Sequence, residues 1–170
     1  MLSVFKRWLG NAGTEDSPAK GGAARRPLGD YRPELIGTLQ AEHKELLRLF
    51  GQLEDAAANG DETACRSALD QFTRLLQDHL LTENRHLYGY FARNPQTDTQ
   101  NAQRVDSMSA DMMHVGKILH RFITAYTRTT WTMTMRDQLR RDLRPIGEVL
   151  VHRIREEETV LYPLYSPRAS

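Results

Sequence analysis

Histidine and glutamate recur along this chain in an order that suits a dinuclear metal site. His43 comes first, then His79 and Glu83, then His114, then His152 followed by Glu156 and Glu157. Neutral imidazole is a good ligand for iron, and a carboxylate can bridge two ions. The expected ligand set is therefore His43, His79, Glu83, His114, His152 and Glu157, with Glu156 as the alternate to Glu157. Such a set, spread over four helix-like segments, points to two iron ions in a non-haem, carboxylate-bridged centre. The same donors suit manganese or zinc, so the residues alone do not name the metal.

The pair His79 and Glu83 is the firmest element. Four residues advance a helix by about 400°, which places the two side chains about 40° apart on one face. That face also carries Leu69, Phe72, Leu76 and Leu87. A carboxylate on an apolar stripe is costly unless it is paired or bound to metal, so a merely exposed His–Glu pair fits less well.

The ends of the second and fourth segments repeat. Glu83-Asn-Arg-His-Leu-Tyr88 resembles Glu157-Glu-Thr-Val-Leu-Tyr162, which matches Glu157 with Glu83. His152 then precedes its carboxylate by five residues, a separation of about 140° on a regular helix. A π-bulge between them would bring the two together, and such bulges favour functional sites. Glu156 has the regular spacing of four but sits off the apolar stripe.

The remaining histidines carry less. His43 lies four residues after Leu39 on an apolar face. Alone it would read as a satisfied core histidine, and the other donors raise it to a ligand. His114 falls about 120° from the centre of its helix stripe, with Asp111 placed to orient its second ring nitrogen. His86, seven after His79, reads as a spare ligand or a supporting group, and His120 reads as solvent-facing.

Four long helices must position these residues. Helix one is expected from about Pro33 to Ala58, with Asp30 as cap and Asn59-Gly60 as stop. Asp61 should cap helix two, about Glu62 to Arg93, which Asn94-Pro95 ends. Helix three covers about Thr99 to Thr127, where Val105, Met108, Met112, Val115, Leu119, Phe122 and Tyr126 repeat in steps of three and four. Helix four follows Thr129–Thr134 and runs to about Tyr162, with Pro145 a potential kink. No strand alternation appears, so the fold class is all-α, an up-down-up-down four-helix bundle over residues 30–170. Residues 11–29 have the Gly, Ala, Pro and Ser content of a flexible linker, and residues 1–29 as a whole form an N-terminal segment outside the bundle.

Bulk composition narrows the classes. A chain of 170 residues with 26% charged residues and a net charge of +1 reads as a globular protein without a basic stripe, so nucleic acid is not an expected partner. Cys65 is the single cysteine, which fits a reducing cytoplasm. No apolar run is long enough for a transmembrane segment. Residues 1–10 place Lys6 and Arg7 inside an apolar stretch, wrong for a secretory signal and suited at most to a weak membrane or protein contact. There is no Ser-His-Asp logic and no phosphate-cradling glycine loop.

On Leu39-Gln-Ala-Glu-His43-Lys-Glu-Leu-Leu, His79-Leu-Leu-Thr-Glu83, Met112-Met-His114 and His152 through Pro163, the chain resembles the hemerythrin-like, or HHE cation-binding, family over about Asp30 to Pro163. The resemblance implies a four-helix bundle around a non-haem di-iron centre bridged by two carboxylates. Oxygen carriers of the family place two histidines four apart on helix three. Here Ile118 stands at that spacing after His114, which implies an exchangeable position on one iron. The step of five on helix four resembles the carriers. The count of four histidines resembles family members that repair iron–sulfur clusters, although their N-terminal cysteine-containing module is not read here.

The expected function is a cytoplasmic di-iron protein that binds or senses a small diatomic ligand, O2 or NO. The alternative is a stress-response protein acting in peroxide or NO turnover or in iron–sulfur cluster repair. A purely structural bundle is the third reading. Residues 1–29 carry none of the expected ligands. Their removal should leave the helical circular-dichroism signal and the metal content unchanged, and loss of either would place them in the core.

Overall fold

The computed structural model describes residues 30–127 and 131–167. The expected N-terminal linker and amphipathic segment lie outside the described residues. Four long helices span Leu35–Asn59, Glu62–Thr82, Thr99–Thr127 and Met133–Glu156. Each packs against the next, and the fourth returns to the first. No strand occurs among the described residues. The chain is an all-α bundle, as its periodicity predicts.

Local signals set the boundaries. Gly60 closes the first helix with φ 70°, a left-handed conformation, and its N–H reaches the carbonyls of Ala56 and Ala57. Asp61 is extended, and its side chain accepts the Ala64 N–H at 2.9 Å to start the second helix. Thr132 does the same for the fourth through the Met135 N–H at 3.3 Å. The first helix starts later than expected. Asp30 does not cap it; Leu35 begins it from a turn closed by its N–H on the Arg32 carbonyl, and Glu34 at the cap position offers no side-chain bond. Pro145 sits on the exposed side of the fourth helix, which runs through it.

The second and fourth helices share an irregularity. Both turn π-helical at a glutamate, over Glu83–Tyr88 and over Glu157–Leu161. Gly89–Arg93 then resumes as α-helix, and Tyr162–Leu164 closes as a 3₁₀ turn around Pro163. The bulge expected between His152 and Glu157 is therefore located one step later, beginning at Glu157 itself.

The apolar core falls into two parts. One holds Leu46, Leu76, Leu80, Met112 and Ile154; the other holds Leu39, Leu87, Met108 and Leu161. On every helix the change occurs at one level: between Leu39 and Leu46, Leu80 and Leu87, Met108 and Met112, and Ile154 and Leu161. His43, Glu83 and Glu157 occupy that level on three of the four helices. A polar layer thus divides the bundle. The second helix depends on its cap, so Asp61→Ala should lower unfolding stability by about 1 kcal/mol in a denaturant titration. An unchanged midpoint would show that the cap contributes nothing.

Candidate metal centre

The dividing layer brings together His43, His79, Glu83 and Glu157, all buried. One ligand atom from each of His43, His79 and Glu157 lies within 4.8 Å of the others. His43 Nε2 stands 3.0 Å from Glu157 Oε2. The two imidazole rings are 4.8 Å apart between centroids. Neither oxygen of Glu83, wholly enclosed in the same layer, has a hydrogen-bond partner. A buried acceptor without a donor costs about 1–3 kcal/mol, more when it is charged.

The histidines are oriented from outside. His43 Nδ1 meets Glu158 Oε1 at 2.9 Å, and His79 Nδ1 meets Glu42 Oε2 at 2.8 Å. A carboxylate on Nδ1 places a proton there, which leaves Nε2 of His79 to bind, whereas His43 has a carboxylate on each nitrogen and would give up an Nε2 proton to a metal. The orienting residues are crossed in sequence. Glu42, next to His43, serves His79; Glu158, next to Glu157, serves His43. Tyr162 stacks on the His43 ring with its hydroxyl 3.2 Å from Nε2.

A guanidinium closes the other side. Arg153, only 5% exposed, donates from Nε to Glu157 Oε1, from Nη1 to the Met108 carbonyl at 3.1 Å and from Nη2 to the Tyr88 hydroxyl at 2.8 Å. Its Nη2 is 4.0 Å from Glu83 Oε1.

These neighbours divide the charge. Burial drives the Glu83 pKa well up, and the facing Glu157 carboxylate adds to it against the opposing pull of Arg153. Burial also works to raise Glu157, but the His43 hydrogen bond and the Arg153 charge outweigh it and hold Glu157 below the usual range. Burial would lower His43, yet its bonds to Glu157 and Glu158 raise it. Of the two facing carboxyls, Glu83 is thus the one whose pKa is driven up and Glu157 the one held down.

Two expected ligands lie elsewhere. His152 is 72% exposed and forms a surface pair with Glu156 at 3.6 Å. It precedes Arg153 by one residue, about 100° around the helix, which turns it to solvent. Glu157, not Glu156, points inward. His114 is exposed on the third helix, whose buried face carries Met108 and Met112 at the polar layer. Two residues beyond Met112, His114 is about 200° away from that face. Asp111 and His120 are also exposed, and Ile118 packs against the core. His86 is half-buried, with burial and the charges of Arg32 and Arg85 lowering its pKa, and it is not among the clustered donors.

Arg153, Glu42, Glu158 and Tyr162 were not anticipated. The signal for Arg153 is the repeat itself. With Glu157 matched to Glu83, four residues back pairs Arg153 with His79.

A four-helix bundle with imidazoles and carboxylates converging at mid-height belongs to the class of bundle metal proteins. The family model for the hemerythrin HHE cation-binding domain matches residues 34–165, and the chain belongs to that family. Neither the curated proteins nor the solved structures offer a match.

The geometry separates the two adjacent glutamates. Glu157→Gln should abolish metal retention, and Glu156→Gln should preserve it, as measured by metal content after desalting. Retention by Glu157→Gln would remove that carboxylate from the site.

Proposed function

We propose that this chain binds a single iron ion through His43, His79, Glu83 and Glu157 and that the iron takes up NO or O2. The observation that carries the reading is the cluster of His43, His79 and Glu157 ligand atoms within 4.8 Å of one another, with both Nδ1 atoms held by carboxylates and with Glu83, whose buried oxygens receive no donor, beside Glu157. A cation there would relieve an uncompensated buried carboxyl and complete a mixed nitrogen–oxygen donor set suited to first-row metals.

Each residue has a part. His43 and His79 would supply nitrogen ligands, with Glu158 and Glu42 fixing their tautomers. Glu157 would use Oε2 on the metal side while Oε1 stays on Arg153. Glu83 would give up its proton on loading. The Tyr162 hydroxyl, beside His43 Nε2, can donate a hydrogen bond to a small ligand. When bound, the ion would supply an open coordination position for that ligand. One ion rather than the expected pair suits these donors, because His114 and His152 stand on the outer surface.

Anaerobic loading with iron(II), followed by metal analysis and optical spectra before and after NO, tests this. About one iron per chain and a new visible band with NO are expected. His43→Ala and His79→Ala should each weaken iron binding at least about tenfold, with His114→Ala and His152→Ala unchanged. A chain that retains no iron, or loses it on changing His114 or His152, overturns the reading.

A further inference from the structure

We infer that Arg153 is a built-in cation in the place of a second metal ion, and that it restricts this centre to one ion; the inference rests on the metal-binding reading above. The guanidinium faces both buried carboxylates, bonded to Glu157 Oε1 and 4.0 Å from Glu83 Oε1. Glu157 therefore divides its oxygens, with Oε2 toward His43 and Oε1 toward Arg153. That is a bridging carboxylate with a metal position on one side and a guanidinium on the other.

Beyond the two carboxylates themselves, the groups on the guanidinium side are already engaged or are weak metal ligands. The third helix contributes the Met108 carbonyl, already taken by Nη1, and the buried thioethers of Met108 and Met112, which are poor partners for iron or manganese. Tyr88 is taken by Nη2. In the repeat of the second and fourth helices, Arg153 holds the position of His79. The position that carries an imidazole on the second helix thus carries a guanidinium on the fourth. Replacing a buried ion pair by apolar groups is often neutral or stabilising, so packing alone gives no reason for an arginine there. Two carboxylates that must stay compensated do. Arginine meets that need at every pH and every metal supply, and its planar fork reaches several oxygens at once.

Manganese(II) titration of the full chain, read by metal content and by electron paramagnetic resonance, tests the assignment in wild type, Arg153→His and Arg153→Lys. Wild type and Arg153→Lys should saturate at one ion with the spectrum of an isolated Mn(II). Arg153→His should take up two, with the spectrum of a spin-coupled pair. A second ion in wild type, or a single ion in folded Arg153→His, overturns the role of Arg153. Zero in both removes the metal reading itself, a different result from one in both. Arg153→Gln gives an arm free of added ligands. Its metal-free melting temperature should fall and saturating Mn(II) should restore it; a fall that Mn(II) leaves uncorrected also overturns the inference.

Discussion

Two carboxylates buried face to face inside an apolar bundle are the constraint on which the rest of this structure depends. Glu83 and Glu157 are shut away from water by leucines above and below. Neither can be charged there without a cation or a donor, and both cannot be charged together. Every unusual feature nearby answers that demand. Arg153 lies against them, His43 donates toward one, and the pKa of Glu83, which no donor reaches, is driven up by burial. A bundle with leucine at both positions would be simpler to stabilise. The retained polar layer is the strongest physical sign that this protein keeps the level for something other than folding.

The backbone supports the same layer in an uncommon way. Each buried glutamate begins a π-helical stretch, so the following residues are rotated relative to a regular helix. A wider turn stacks the fifth residue on near the first. Glu83 thereby gains Tyr88 and Glu157 gains Tyr162, while Leu87 and Leu161 seal the layer from the same side. Burial and the charge of Glu83 raise the Tyr88 hydroxyl pKa; burial and Glu157 raise that of Tyr162. Tyr88 gives its oxygen to Arg153, and Tyr162 sets its hydroxyl beside His43. One local device, used twice, thus serves the guanidinium on one side and the imidazole on the other.

The fold was legible because its signals are local and redundant. Stripes at steps of three and four, Gly60, Asp61 and the two-helix repeat each point to the same bundle. The burial of three candidate residues was legible for the same reason: His79 and Glu83 share a phase with leucines, and His43 shares one with Leu39 and Leu46. The surface placement of His152 and the burial of Arg153 were not. Histidine at 152 attracts a metal reading, although the phase that buries Glu157 also buries Arg153 and exposes its neighbour. An arginine on an apolar stripe looks like an interruption until its partners across the bundle are known. Those partners, the Met108 carbonyl and the Tyr88 hydroxyl, come from other helices and leave no mark at short range in the sequence. The crossed orienting carboxylates, Glu42 and Glu158, were hidden in the same way.

An arginine and a metal ion compensate buried carboxylates under different conditions. A metal ion does so only when supplied, and the metal-free bundle must then protonate its glutamates or open. A guanidinium is tethered, permanently charged and present from the moment the chain folds. With Arg153 in place, Glu157 is compensated before any ion arrives, whereas no donor reaches Glu83. The imidazoles are already turned by Glu42 and Glu158. Such a centre asks little rearrangement of the bundle when metal enters or leaves. It is correspondingly asymmetric: the first and second helices supply both imidazoles, and the third and fourth close the opposite side with Met108 and Arg153.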